Sequence, residues 1–291
     1  MEFVFLLEQV INGLLVGGYY LLIALGLSLI FSLGGVVNLA HGAFYALGAY
    51  FAVALTGHVG FGGAVLMAPL LVGVLGVLFE RFLLRRFYSA DPILSLLLTF
   101  GLAMVAEQLL RMIWGASPLP ASIPSLFKGQ IVIGEFLYSR YRLLMLAVVF
   151  VALAAIWLLL NKTSFGRVVR AGVQRPDMVA VLGIRLQPYM TAIVVLGVGL
   201  AALAGVLFAP ISGVHPAMGT EIMTAAFVVV VIGGLGSFWG VVLAAVLVGV
   251  VRGITIHFYP PAGEASMYLL MLLVLMFRPR GLLGERIERF E

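Results

Sequence analysis

Few side chains in this chain are suited to chemistry, and they fall in three places. His41 follows Asn38 by three residues in the segment SLGGVVNLAHG, residues 32–42. At that spacing the two share a face if the segment is helical. Asn38 and a neutral His41 each offer a donor and an acceptor, enough to hold a backbone break together or to meet a polar solute. No nucleophile or metal ligand stands near His41, which argues against catalysis. Glu107 and Arg111 are four residues apart in the order that favours an ion pair on a helix. The third place, residues 161–187, is a basic island holding Lys162, Arg167, Arg170, Arg175 and Arg185 against the single acid Asp177.

Several chemistries are excluded outright. The chain has no cysteine, so it forms no disulfide, thiolate metal site or cysteine nucleophile. Its only lysines are Lys128 and Lys162, and neither lies in a phosphate-binding G-x-x-x-x-G-K-[ST] loop. H-E-x-x-H and G-x-S-x-G are missing as well. The expectation is a protein that is not an enzyme, with no catalytic residue, no metal site and no cofactor of its own.

The elements that must carry these residues are membrane spans. Of 291 residues, 63% are hydrophobic and 10% charged, and the mean hydropathy is +1.20. Apolar runs of about 20 residues, the length that crosses a bilayer, recur from end to end. The alternating pattern of a membrane β-barrel is not seen, and helices satisfy their own backbone groups in lipid. The fold class read from this is all-α: a polytopic transmembrane helix bundle of eight to nine spans, some broken or re-entrant. Spans are expected near 10–33, 38–57, 62–80, 93–114, 143–161, 188–210, 222–235, 239–258 and 266–278, in one domain covering 1–291. The first ten residues contain Glu2 and Glu8 but no cation, so no cleaved signal peptide is expected there.

Charge orients the bundle. Residues 81–91, 162–187 and 278–291 carry 12 of the 17 basic residues, among them Arg81, Arg85, Arg86, Arg278, Arg280, Arg286 and Arg289. The positive-inside rule assigns that face to the cytoplasm and the acidic N-terminus to the outside. The pI near 9.7 therefore reflects orientation rather than nucleic acid binding. Within the island, polar and apolar positions mix at helical spacing, which predicts a helix or helix pair below the membrane. With no ATP site in the chain, a separate ATPase is the sensible partner for it. On the outer side, Pro118, Pro120 and Pro124 forbid a continuous helix, and IVIGEFLY that follows reads as a short strand or hairpin.

Small residues recur every four positions inside the spans: Gly13 and Gly17; Gly197, Ala201 and Gly205; Ala245, Gly249 and Gly253. Such rows let helices pack closely in lipid. Two further segments, SLGGVVNLAHG and IGGLGSFWG (232–240), are too glycine-rich for a continuous span and too apolar for a solvated loop. They are either irregular backbone at membrane depth, a pointer to a transport path, or two tight turns at the cytoplasmic face.

Four ordered stretches carry a resemblance over nearly the whole chain. GLLVGGYYLLIALGLSLIFSLGGVVNLAHGAFYALGAY, TSFGRVVRAGVQRPDMVAVLGI, GGLGSFWG and FRPRGLLG resemble the LivH-type permeases of branched-chain amino acid ABC importers, of the binding-protein-dependent inner membrane component family. Leu39 stands where phenylalanine is common in that family. The resemblance implies a multi-pass subunit of a bacterial-type inner membrane. It also implies two cytoplasmic ABC ATPase subunits that consume ATP, a second permease subunit, an extracytoplasmic solute-binding protein and surrounding lipid. The coupling role would fall on Gly166, Arg167, Arg170, Ala171, Ala180, Gly183 and Ile184. The translocation path would include Asn38, Ala40, His41 and Gly42, with Gly233, Gly234, Gly236 and Ser237 from the second break. Leucine, isoleucine and valine are the cargo implied. Urea, short amides or another small solute in the same importer class, and an ion-coupled secondary transporter, are the alternatives.

Overall fold

The structure, a computed structural model, describes residues 2–88, 91–133 and 136–284. Arg286 and Arg289, counted among the basic residues above, lie outside the described residues. The element order is α1 (Glu2–Gly34), α2 (His41–Phe82), α3 (Pro92–Trp114), β1 (Gln130–Ile133), β2 (Phe136–Ser139), α4 (Arg140–Lys162), α5 (Ser164–Gln174), α6 (Pro176–Val181), α7 (Gln187–Ser212), α8 (Met218–Gly233), α9 (Phe238–Phe258) and α10 (Gly263–Phe277). Seven helical stretches among the described residues are long and apolar enough to cross a membrane, the last counted over Pro260–Phe277, and α8, at 16 residues, is a shorter apolar one. The chain is an all-α multi-pass membrane bundle with one small hairpin.

The expected spans 38–57 and 62–80 form the single 42-residue element α2, broken at Gly60, whose φ of 71° and ψ of 171° are not helical. The two halves cannot be collinear. A Cβ built on Gly48 would meet Ala202, and one on Gly76 would meet Val198. Residues 28 apart on a straight helix are separated by about 42 Å, whereas four residues of α7 span about 6 Å. The helix therefore folds back at Gly60, where the left-handed backbone is open to glycine at no steric cost. Both halves pack along α7, so the two expected spans 38–57 and 62–80 appear as the two arms of one element.

At the centre stands α1, whose Leu22, Ile23 and Ala24 are completely buried. The small-residue rows face one another across it. A Cβ on Gly17 or Gly253 would run into the α9 or α1 backbone respectively, and one on Gly249 would sit 2.7 Å from the Gly17 Cα. On the opposite side Gly26 meets Gly197 of α7, with a Cβ on Gly197 falling 2.7 Å from the Gly26 carbonyl oxygen. Glycine here is a spacing device that brings backbones into van der Waals contact where no hydrophobic force drives helices together. The outer loops are joined as well: Leu119 and Val214 exchange backbone hydrogen bonds of 2.8 and 3.1 Å. IVIGEFLY supplies the facing strands of an antiparallel hairpin, with Gln130 opposite Ser139.

At the other end of the bundle the basic segments converge. Gly34 abuts Tyr88, Gly172 abuts Leu33 and Leu186, and Gly234 abuts Arg280 and Gly284. Replacing Gly249 by leucine should overfill the α1–α9 seam at a cost of about 1–3 kcal/mol or more. The expected outcome is a large loss of monodisperse protein in size-exclusion chromatography after detergent extraction, with Leu247→Ala, on the exposed side of α9, unaffected.

Candidate functional site

The first break is built at depth. After α1 ends, residues 35–38 are irregular and α2 starts at His41, so Asn38 precedes the helix rather than sharing a helical face with His41. The two are linked through the backbone, the His41 N–H donating to the Asn38 carbonyl at 3.2 Å. Both side chains are completely buried. His41 Nε2 lies 3.1 Å from the Ile23 carbonyl, and its ring lies beside Gly26, a full two turns above the end of α1. The Leu39 N–H donates to Thr99 Oγ1 of α3 at 3.1 Å, and Thr99 in turn donates to the Ser95 carbonyl. Irregular backbone inside a bundle is tolerated where neighbouring protein satisfies it in this way.

At the side chains the satisfaction is incomplete. Asn38 Oδ1 and Nδ2 and His41 Nδ1 have no hydrogen-bond partner among the described residues. A buried group left so is disfavoured by about 1–3 kcal/mol. Ala40 is buried beneath the turn, and Gly42 lies so close to Gly219 of α8 that a Cβ would strike its backbone.

The second break is of the other kind, a turn at the basic end. Gly233 and Gly234 are buried, Leu235 and Gly236 exposed, and Ser237 half-buried. Gly234 has φ 98°, a conformation other side chains resist, and a Cβ there would lie 2.6 Å from Gly284 Cα. The FRPRGLLG segment closes over it: the Leu282 N–H donates to the Ile232 carbonyl at 2.7 Å and Leu283 to Gly233 at 3.1 Å. Those carbonyls are unpaired at the C-terminus of a helix, so the segment acts as a cap. Ser237 Oγ accepts from the Gly240 N–H and opens α9. The first segment thus turns inside the bundle, against Ile23 and Gly26 of α1, and the second turns at the bundle end.

The basic island folds as the helix pair α5 and α6, separated by Arg175. Thr163 caps α5, its hydroxyl accepting from the Gly166 N–H at 3.2 Å. Gly166 is buried against the last turn of α4. Arg167, Ala171 and Ala180 are exposed, Gly183 closes α6 with φ 76°, and Ile184 is half-buried, its N–H donating to the Val179 carbonyl at 3.2 Å. Arg170 is exposed, yet its guanidinium donates to the Leu160 carbonyl, so it also braces the α4–α5 joint. Sequence reasoning missed the apolar tip: Met178, Val181 and Leu182 are 57%, 82% and 75% exposed. Their spacing of three and four along α6 was the available signal.

Glu80 was missed too. It is fully buried and receives Arg85 Nε at 3.1 Å and Nη2 at 2.9 Å, and the Thr191 hydroxyl of α7 at 2.8 Å. Tyr88 approaches the same carboxylate at 3.4 Å. Burial first, and then the Glu80 charge, push the Tyr88 phenol well above its usual range. This cluster ties the second half of α2 to α7 beside the end of α1. Arg252 of α9 keeps its Nε buried without a partner among the described residues.

A groove of 290 Å³ runs between α2, α3 and α8, lined by Leu39, Ala43, Met104, Glu107, Thr220 and Phe227, among others. Its polar wall includes Glu107, which pairs with Arg111 at 2.8 Å as the spacing predicts. No group of three or more His, Asp or Glu side chains among the described residues forms a metal site.

The family described as branched-chain amino acid transport system / permease component matches residues 9–277. The chain is similar to the high-affinity branched-chain amino acid transport system permease protein BraD of Pseudomonas aeruginosa, 29% identical over 96% of both chains. It is 28% identical to the permease protein LivH of Escherichia coli, over 98% of this chain and 97% of that one. The permease protein LivM of the same organism is 30% identical over 91% of this chain and 67% of its own length. With a depth-buried break, a basic-end hairpin and a match along almost its whole length, the chain belongs to the branched-chain amino acid transport permease family.

Proposed function

We propose that this chain is the membrane-spanning permease subunit of an ATP-driven importer for leucine, isoleucine and valine, working in a bacterial-type inner membrane as one domain. Two cytoplasmic ABC ATPases, a second permease and an extracytoplasmic solute-binding protein complete the assembly, and ATP is used by the partners. Family membership supports the cargo. The observation that carries the coupling role is the α5–α6 hairpin: three exposed apolar side chains on α6 and its C-terminal edge, in a segment that also exposes Arg167, Arg175 and Arg185, at the basic end of a membrane protein. An exposed apolar cluster with a charged rim is the anatomy of an interface.

The hairpin is joined to the first break by direct contact. Thr163, Gly166 and Arg170 fix α5 to the end of α4, and Gly172 packs on Leu33, two residues before the break begins. Displacement of α5 by an ATPase acts on the last turn of α1 and so on residues 35–40. There Asn38, Ala40, His41 and Gly42 form the gate of the path, and the unspent polar atoms of Asn38 and His41 meet cargo or water when it opens. Gly233, Gly234, Gly236 and Ser237 form the foot of the path, a glycine turn whose tight packing on residues 280–284 lets α8 and α9 move together.

Two outcomes test this. In proteoliposomes containing the full assembly, the double substitution Val181→Asp with Leu182→Asp should lower ATP-dependent leucine uptake at least tenfold and release the ATPase on gel filtration. An intact assembly importing at the normal rate would remove the hairpin from the coupling role. Gly234→Leu, which forces a side chain onto the residue 280–284 backbone, should slow uptake severely in assemblies that still elute intact on gel filtration; normal uptake would reduce that turn to a connector.

A further inference from the structure

The groove between α2, α3 and α8 holds a combination not needed for packing. Its walls are mostly apolar, with Phe100, Met104, Met223 and Phe227 prominent, yet Glu107, Thr220 and Thr224 also open onto it. At 290 Å³ it is close to the lower end of small-molecule sites, about 300–1,000 Å³. Glu107 lies two helical turns before the end of α3 on the side of the Pro-rich loop, where incoming solute arrives under the proposed orientation. Its Oε1 accepts from Arg111 Nη2 and its Oε2 from Thr220 Oγ1, each at 2.8 Å.

Neither partner is saturated. A carboxylate has about four acceptor positions and a guanidinium five donors, and the contacts among the described residues use one hydrogen bond per carboxylate oxygen and one guanidinium donor. The Arg111 side chain is 46% exposed. An ionised pair on an apolar helix surface is strongly disfavoured against lipid, so the open side of the groove is the side a second permease would cover. What the groove holds is an acid above an aliphatic and aromatic floor, with its base, Arg111, paired to it at 2.8 Å beside the groove rather than in its lining. That is the complement of a neutral zwitterion with a branched hydrocarbon side chain.

We propose that Glu107 is the specificity-determining residue of this permease: it receives the cargo's ammonium group, and Arg111 beside it receives the carboxylate. This rests on the importer reading above and adds to it a selection step within the membrane subunit, independent of the solute-binding protein. Urea and other uncharged amides have no ammonium to engage Glu107 and are passed over.

The test uses photo-leucine, the diazirine analogue of leucine, on the purified permease–ATPase assembly without its solute-binding protein. Illumination should label peptides containing Phe100–Leu110 or Gly219–Phe227. Leucine should compete with the labelling, whereas 4-methylpentanoate, which has the same carboxylate and hydrocarbon but no ammonium, should compete at least tenfold less well. In Glu107→Gln that discrimination should vanish, and Glu107→Asp should restore it in part. Labelling confined to other segments of the wild-type assembly, or equal competition by both compounds there, would overturn the proposal without needing a folded variant. So would unchanged discrimination in Glu107→Gln. A wild-type assembly that imports no leucine with all partners present would instead overturn the importer reading itself.

Discussion

Backbone contact along α1 is the constraint on which the architecture depends. In lipid, an apolar side chain gains little by touching another helix rather than an acyl chain, so helices hold together by close packing. Gly13 and Gly17 bring α9 against one face of α1, and Gly26 brings α7 against another. The result buries 83% of the hydrophobic window of α1, far more than the 17% of α3 or α4. With α1 and α7 held, the folded-back α2 and the short α8 have only a narrow space in which to pack. The depth of His41 follows, because its ring lies beside Gly26, against the carbonyl of Ile23.

Given that frame, polar groups are dealt with according to where they fall. Glu80 is buried but fully engaged by Arg85, Thr191 and Tyr88, and removing Arg85 would leave its charge uncompensated and strongly destabilising. It serves as a rivet between α2 and α7 near the basic end. Asn38 and His41 are buried and only partly engaged. The contrast separates structure from function better than residue type does. An ionised group that has found every partner stabilises one arrangement, whereas a neutral amide that has found none favours another.

The span pattern, the basic end, the outer hairpin and the facing small-residue rows were all legible in the sequence, because each rests on composition or on a period of about four residues. What escaped it were relations across the fold. The reversal at Gly60 was read as two spans without the knowledge that both would lie on α7. The role of Glu80 was invisible because Thr191 is 111 residues away, and local spacing offers only Arg85. The two breaks look alike in composition, yet one is placed at depth by Gly26 and Thr99, and the other is held at the bundle end by residues 280–284. Glycine content signals an interruption; tertiary partners decide its level in the membrane.

On the proposed reading, the same logic accounts for how the bundle is driven from its basic end. The hairpin, the end of α4, Leu33 of α1 and the break at residues 35–40 form an unbroken series of contacts, each made through glycine, a capping hydroxyl or a guanidinium rather than through a large deformable core. Close-packed interiors do not deform smoothly but shift between discrete arrangements. A short displacement at the basic end is therefore conveyed to the buried turn more readily than it is absorbed. On the proposed reading, the free energy that leaves Asn38 and His41 incompletely bonded keeps the two states of that turn close in stability, so that a modest push from below changes which one is occupied.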